Sequence, residues 1–212
     1  IWPSKARQSA HSTHATIMKR EDAVALAIAV GGPLMAGQLV ALPCIPEITN
    51  WYTKIRKPKW TPPNWLFGVS WPVLYTAQGV ASWLVWKIKG PERKLPLALY
   101  GAQLILNLIW QPLMFKAHRP DAALVDAVAM LGMSAAATVA MTRAVEGGKT
   151  KGAVAGLMSP YVAWIAFATA LTAKIAKDNP NAHKIEDFSA KGIPQPKALK
   201  GVAEKLAASV PK

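Results

Sequence analysis

Long apolar stretches alternate with short charged segments over most of this chain. Five such stretches follow one another between residues 23 and 176, and each is at least as long as the roughly 20 residues with which a helix crosses a hydrocarbon core about 30 Å thick. They cover residues 23–46, 61–87, 95–115, 121–142 and 152–173. The pattern predicts an all-α protein, an integral membrane bundle of five transmembrane helices.

The second stretch has the clearest sequence signals for a helix start. Thr61 can cap the helix, and Pro62 and Pro63 suit its first turn, where a missing N–H group loses no hydrogen bond. Six of the nine tryptophans fall between residues 50 and 87, within and around this stretch. Indole side chains concentrate at membrane interfaces, so these tryptophans favour a transmembrane span with a basic entry loop.

The two ends of the chain lie outside the predicted bundle, which we place at residues 23–176. Residues 1–22 form a polar, basic leader. Its residues 1–17 are either part of an organelle-targeting segment or sequence upstream of a true start at Met18, and we favour the second. Residues 177–212 form a basic tail, either disordered or a helix on the membrane surface. The apolar face of such a helix comprises Leu199, Val202, Leu206 and Val210.

Charged residues are concentrated in the loops and tails, and the formal net charge is +14. Basic segments of this kind suit anionic lipid headgroups, and no nucleic-acid-binding motif accompanies them, so we expect membrane lipids and no nucleic acid as partners. Cys44 is the single cysteine, which excludes an intrachain disulfide and a multi-cysteine metal site. His11 and His14 are close together but lie in the leader, and we predict no metal site.

Several short motifs occur in a fixed order within residues 30–179. Trp51-Tyr52 is followed by KPKWTPPNW at residues 57–65, and QLILNLIWQP occupies residues 103–112. ALVD at residues 123–126 and PYVAW with a following FAT, at residues 160–169, complete the set. Together these motifs resemble the tryptophan-rich sensory protein / translocator protein family (TspO/MBR), once called the peripheral benzodiazepine receptor.

The resemblance implies a five-helix membrane bundle, often dimeric, with a pocket that binds porphyrins, sterols and isoquinoline or benzodiazepine-type drugs. The loop between the first two helices caps that pocket. Eukaryotic members suggest the mitochondrial outer membrane, plant-like members the endoplasmic reticulum and Golgi, and bacterial members an outer membrane. Some members are reported to degrade protoporphyrin in light, a reaction attributed to pocket tryptophans. No resident cofactor is implied, because a porphyrin or haem-type tetrapyrrole is the ligand.

Three of the predicted spans offer an aromatic residue with small or polar neighbours at helical spacing. A porphyrin is a flat apolar ring with two carboxylates, so it needs aromatic faces to stack on and cations at one edge. The resemblance assigns ligand contact to Trp71 and Trp164 and puts Asn107 near the ligand. The predicted ligand-binding residues are Phe67, Trp71, Asn107, Trp110, Trp164, Ala168 and Leu171. The predicted carboxylate rim is Lys54, Arg56, Lys57 and Lys59. Alternatively, these tryptophans only pack helices or anchor them at the interface.

Together with these residues, the resemblance implies a receptor or carrier for porphyrins and related planar lipophiles such as sterols, active in tetrapyrrole homeostasis, transport or stress signalling. The alternative is an enzyme that degrades protoporphyrin with light and oxygen. Trp71 and Trp164 are then the candidate catalytic residues, although the sequence gives no firm catalytic residue. A transporter ranks last, because neither internal repeats nor charged midplane residues are evident.

Polar residues inside the predicted spans leave alternatives open. Gln103 and Asn107 either hydrogen-bond a neighbouring helix or face a cavity, and for Asn107 we favour the cavity. Asp126 is an intramembrane carboxylate, which is a functional candidate by default. It is also close enough to the interface to stay hydrated or to pair with Arg119 or His118, and we favour that structural role.

Two pairs of small residues occur at helical spacing, and two positions depart from the family pattern. The pairs Ala98/Ala102 and Gly132/Ala136 permit close helix contact, either with a second copy in a homodimer or within the chain. Residues 171–177 lack the tyrosine of the cholesterol motif of animal members, which puts sterol transport in doubt without excluding sterol binding. Ala122 stands where many members have tryptophan, so the drug-binding profile is expected to differ.

Overall fold

The computed structural model describes residues 20–185, which form helices joined by turns and one longer loop. The long helices are α1 (Arg20–Ala41), α3 (Asn64–Trp86), α4 (Lys94–Gln111), α5 (Pro120–Ala144) and α6 (Gly148–Asp178), and the short helix α2 is Ile45–Thr49. No β-strand occurs in this described range. The predictions for His11 and His14 and for the apolar face at residues 199–210 lie outside the described residues.

Within residues 20–185, four helical segments are long and apolar enough to cross a membrane: Arg20–Thr49, Pro91–Lys116, Pro120–Ala144 and Gly148–Asp178. The all-α membrane class is therefore confirmed. The remaining predicted span, α3, has 23 residues and no charge, but its tryptophan, tyrosine and amide side chains lower its mean hydropathy. Hydropathy thus supports four of the five predicted spans.

Helix α3 begins later than the sequence predicts. The Thr61 hydroxyl donates to the Pro58 carbonyl oxygen at 2.7 Å, so it closes a turn in the loop instead of capping a helix. Pro63 is the extended residue before the helix, with φ −64° and ψ 147°, and Asn64 is the first helical residue. The prediction that Pro62 and Pro63 form the first turn is wrong, because a residue that precedes proline is pushed out of the helical region.

Helix α1 packs closely against α3 at two glycines. A Cβ atom placed on Gly79 would lie 2.5 Å from the carbonyl oxygen of Ala29, and one placed on Gly37 would lie 2.5 Å from the Tyr75 ring. Backbone oxygen at Ala29 cannot move aside as a flexible side chain can. Gly79 therefore fixes the distance between the two helices.

We expect Gly79→Ala to lower the free energy of unfolding by about 1–3 kcal/mol, because the added methyl group forces α1 away from α3. Gly132→Ala on α5 is the matched control, since nothing lies within 4 Å of a Cβ placed there. That change should be neutral or stabilising by about 0.5–1 kcal/mol through helix propensity. Thermal unfolding of the two variants in detergent measures the difference, and equal midpoints would contradict the close crossing.

A buried hydrogen-bond network joins three helices in the middle of the bundle. The Gln103 amide donates to Gln78 Oε1 at 2.8 Å, and the Tyr161 hydroxyl donates to Gln103 Oε1 at 2.6 Å. All three side chains are buried. Of the two alternatives for Gln103, the structure therefore selects hydrogen bonding between helices.

The predicted pairing of Asp126 is wrong. Arg119 pairs with Asp121 at 2.7 Å, and His118 pairs with Glu47 at 3.0 Å, so both expected partners are engaged elsewhere. Asp126 is only 8 % exposed, and its Oδ2 has no hydrogen-bond partner within residues 20–185. Its side chain is buried because it shares the inward face of α5 with Ala123 and Met130.

The small-residue pairs lie on the outside of the bundle. Ala98 is exposed and Ala102 half-buried on α4, and Gly132 and Ala136 are exposed on α5. Packing within the chain therefore does not explain them, and the predicted contact with a second copy stays a prediction.

Candidate functional site

A cavity of about 260 Å³ lies within the bundle, next to the loop that joins α2 to α3. Helices α1, α3, α4 and α6 all line it, as does the π-helical turn Pro112–Lys116 that continues α4. Most of the lining is apolar. It also includes a few polar side chains, among them Gln38, Asn64, Gln111 and Thr172. An apolar chamber with few polar groups is the usual form of a small-molecule site.

Aromatic rings from α3 form one wall of the cavity. Trp71 stacks on Tyr75 with 5.6 Å between ring centroids, and both line the cavity. Phe67 lies one turn before Trp71, on the same side, because residues i and i+4 share a helix face. The helical spacing thus places three aromatic residues of this span at the same cavity.

Most of the predicted ligand-binding residues lie at this cavity. Those that line it are Phe67, Trp71, Trp110, Ala168 and Leu171, and they come from three different helices. Trp110 also has an indole nitrogen that is buried without a hydrogen-bond partner within the described range.

Asn107 and Trp164 are placed one layer behind the lining. Asn107 Oδ1 accepts a hydrogen bond from the Tyr75 hydroxyl at 2.5 Å, so it positions a lining residue instead of facing the cavity itself. Trp164 meets Phe67 at 5.5 Å and Trp71 at 6.4 Å between ring centroids, edge to face. It lines a separate groove on the outer surface between α3 and α6.

The loop that covers the cavity is fastened to the far end of α6. Trp51 is fully buried, stacks on His118 with 4.4 Å between ring centroids, and donates from Nε1 to the Ala182 carbonyl oxygen at 3.1 Å. The Asn179 side chain pairs with the backbone of Arg56, accepting from its N–H and donating to its carbonyl oxygen, both at 2.8 Å. These contacts hold Tyr52, the next residue after Trp51, in the cavity wall.

None of the four predicted rim cations lines the cavity. Lys57 contacts a residue that does line it: the Lys57 ammonium lies 4.6 Å from the centre of the Tyr52 ring and donates to the Tyr52 carbonyl oxygen. Burial lowers the pKa of Lys57 and raises the pKa of Tyr52 to about 12. Lys54, Arg56 and Lys59 are exposed on the loop surface.

Sequence reasoning missed several residues that line the cavity. Tyr75 lies one turn after Trp71 and Tyr52 adjoins Trp51, so spacing and motif could have identified both. Gly37 and Gln38 of α1 also line the cavity, and neither carries an aromatic or charged group that distinguishes it in the sequence. The π-helical turn at residues 112–116, which contributes Met114 and Phe115, also has no sequence pattern of its own.

Comparison with known proteins gives a family and named relatives. The profile of the TspO/MBR family matches residues 23–177. A Homo sapiens protein named Translocator protein is 41 % identical over 136 residues, which are 63 % of this chain and 77 % of that protein. Tryptophan-rich protein TspO of Archaeoglobus fulgidus is 34 % identical over 125 residues, 59 % of this chain and 77 % of that protein. Tryptophan-rich sensory protein of Cereibacter sphaeroides is 32 % identical over 153 residues, 72 % of this chain and 88 % of that protein.

Proposed function

Because this chain belongs to the TspO/MBR family, we propose that it is a multi-pass membrane receptor or carrier for porphyrins and related planar lipophiles, sterols included. The ligand occupies the cavity next to the α2–α3 loop, and the role is in tetrapyrrole homeostasis, transport or stress signalling. One observation carries the proposal: the stacked Trp71 and Tyr75 rings, with 29° between their planes, form an aromatic wall of an apolar chamber. A conjugated macrocycle gains stacking energy as well as apolar burial against such a wall.

The size of the cavity gives the loop a role in binding. Its volume of about 260 Å³ is slightly below the range of roughly 300–1,000 Å³ that is usual for drug-sized ligands. A porphyrin therefore requires the α2–α3 loop to move outward. Lys57 travels with the loop next to Tyr52, so its ammonium is placed to meet a ligand carboxylate at the edge of the enlarged site.

The proposal includes α3 as the fifth transmembrane helix. At about 1.5 Å per residue its 23 residues are long enough to cross the hydrocarbon core. Trp65 and Trp86 near its two ends are exposed, as interfacial indoles are in membrane helices. The low hydropathy of α3 then reflects the aromatic and amide residues that build the site and the helix contacts.

We expect Trp71→Phe to weaken protoporphyrin binding about fivefold, because a smaller ring keeps part of the stacking surface. The measurement is saturable quenching of tryptophan fluorescence during titration of the purified chain in detergent, in the dark. Trp65→Phe is the control, since Trp65 is on the same helix but 67 % exposed. Equal affinities for both variants and the unchanged chain would refute binding at this wall.

The same preparation tests the alternative function, a protoporphyrin-degrading enzyme that uses light and oxygen. The observation that favours it is the edge-to-face contact between Trp71 and Trp164, with Tyr75 stacked on the first of these rings. Contiguous aromatic groups beside a photoexcited ring can exchange electrons with it. Illumination under oxygen should then give a new absorbing product that Trp71→Phe and Trp164→Phe both diminish, whereas a receptor returns the porphyrin unchanged.

We also propose a homodimer and a mitochondrial outer-membrane location, with endoplasmic reticulum or Golgi as the alternative location. The relative with 41 % identity is a Homo sapiens protein, which favours the eukaryotic location. For the dimer, α4 carries Ala98 exposed on the outside of the bundle. Ala98→Phe should shift the chain toward monomer in light scattering, while Ala166→Phe on the exposed face of α6 should not.

A further inference from the structure

The cavity next to the α2–α3 loop is accessible from one side of the bundle. Among its lining residues, all within the described range 20–185, three are exposed: Gln38 of α1, and Asn64 and Gly68 of α3. The lining residues that the loop, α4 and α6 contribute are all buried or half-buried. This distribution of exposure places the opening of the cavity between α1 and α3.

Helices α1 and α3 touch near the middle of the bundle and separate toward the loop. They run antiparallel, with Gly79 against Ala29 and Gly37 against Tyr75, and a Cβ atom added at either glycine would lie 2.5 Å from its neighbour. Two turns before Tyr75 on α3, nothing lies within 4 Å of a Cβ atom placed on Gly68. The seam between the two helices is therefore closed toward the middle of the bundle and open near the loop.

The opening lies at the depth where a bilayer changes from headgroups to hydrocarbon. Asn64 is the first residue of α3, and Gly68 lies about 6 Å further along the helix at 1.5 Å per residue. Each polar layer of a bilayer is roughly 5–8 Å thick. Trp65 and Leu39, which adjoin exposed lining residues in the sequence, are 67 % and 66 % exposed. The rim of the opening therefore suits contact with lipid instead of water.

Two carboxamide groups lie at this opening, in front of an apolar interior. Gln38 and Asn64 are both exposed, and each has an N–H donor and a carbonyl acceptor. Phe67 and Trp71 follow about one and two turns along α3, toward the middle of the bundle. An amphiphile dissolved in the bilayer keeps its polar end at headgroup depth and its apolar body below. The opening has its polar and apolar groups in the same order.

The loop is a less accessible route into the cavity. Trp51 donates to the Ala182 carbonyl oxygen, and the Asn179 side chain forms two hydrogen bonds with the backbone of Arg56. Passage beneath the loop breaks these buried contacts, whereas the exposed lining residues already connect the cavity to the side of the bundle. Movement of the loop enlarges the site for a large ligand, but an entrance exists without it.

We propose that the cavity takes its ligand from the bilayer, through the opening between α1 and α3. The inference rests on the function proposed above and narrows its ligands to amphiphiles that dissolve in the membrane with a hydrogen-bonding group at headgroup depth. The apolar body passes between Gln38 and Gly68 and reaches the wall at Trp71. The polar group stays near the carboxamides of Gln38 and Asn64.

The kinetics of protoporphyrin binding to the full chain in lipid nanodiscs test this route. Mixing loaded nanodiscs with excess protein-free vesicles gives the dissociation rate constant, titration gives Kd, and their ratio gives the association rate constant. Porphyrin absorbance is the signal, because an added indole does not alter it. Gln38→Trp should lower both rate constants about tenfold and leave Kd within about threefold, since an obstacle in the path slows entry and exit alike.

Leu39→Trp is the matched control, because Leu39 adjoins Gln38 on α1, is 66 % exposed and does not line the cavity. Its rate constants should stay within about twofold of those of the unchanged chain. A second pair of variants acts from α3. Gly68→Leu should slow dissociation more than it changes Kd, and Gly132→Leu on α5 should do neither, although nothing lies within 4 Å of a Cβ atom at either position.

Two kinetic results would overturn the lateral route while the proposed function stands. Unchanged rate constants in both Gln38→Trp and Gly68→Leu would mean that the ligand passes elsewhere. Faster dissociation in both, with Kd weakened in proportion, would mean that these residues only contact the bound ligand. Absence of saturable binding in the unchanged chain is a different result, because it refutes the proposed function and the route together.

Discussion

Ala168→Trp should lower the affinity for protoporphyrin by roughly a hundredfold or more, because a bulky indole then occupies the site meant for the ligand. Ala168 lines the cavity from α6, and the aromatic wall of the same cavity is on α3. The cavity measures about 260 Å³, so one added bicyclic side chain removes much of its space. Fluorescence titration in the dark measures the loss, and circular dichroism verifies that the helices persist.

The matched control is Ala166→Trp, two residues earlier on the same helix. Ala166 is exposed and lines none of the cavities described above, so the same side chain there should leave affinity within about twofold. Wild-type affinity in Ala168→Trp would place the ligand outside the cavity. The outer groove lined by Trp164 and Phe167 would then become the site to test.

The positions of Trp71 and Trp164 change how the two tryptophans are interpreted. Trp71 lines the cavity, whereas Trp164 reaches it only through Phe67 and Trp71 and faces the outer groove. A stacked ligand in the cavity therefore contacts one of them directly. Substitutions at Trp164 should affect binding less than substitutions at Trp71, although both matter for electron exchange with an excited ring.

The sequence predicts the helices well where their ends depend on local chemistry. The uncharged stretch at residues 95–115, for example, has a charged residue at each end and corresponds to α4 and the turn that continues it. Such stretches form helices because the bilayer requires apolar spans of a minimum length. The sequence predicts too early a start for α3. Thr61 can either cap a helix or close a turn, and the local sequence is compatible with both. Propensity alone does not distinguish these two outcomes.

The contacts that hold the cap of the cavity in place could not be predicted, because they join residues far apart in the chain. Asn179 binds the backbone of Arg56 across 123 positions, and Trp51 donates to Ala182 across 131 positions. Neither pair follows a helical period or a charge pattern. Asp126 illustrates the same limit, since Arg119 and His118 are near it in sequence but bind Asp121 and Glu47 in the fold.

Trp51→Ala should have the largest effect on stability, a loss of about 3–5 kcal/mol, because it empties a fully buried aromatic site. The change also removes the hydrogen bond to Ala182 and the ring that stacks on His118. His118 has a positive φ of 52°, which is unusual for a residue other than glycine, so its conformation depends on these contacts. Unfolding by titration with sodium dodecyl sulfate measures the loss.

Two further variants distinguish the loss of the contacts that hold the cap from the general effect of removing an indole. Trp65→Ala should cost under about 1 kcal/mol, since Trp65 is 67 % exposed. Trp51→Phe keeps an aromatic ring beside His118 but loses the bond to Ala182, so it should cost about 1–2 kcal/mol. Because Tyr52 depends on Trp51 for its place in the cavity wall, porphyrin affinity should fall in the same order as stability. Loss of stability at Trp51 with unchanged affinity would show that the loop is not part of the binding site.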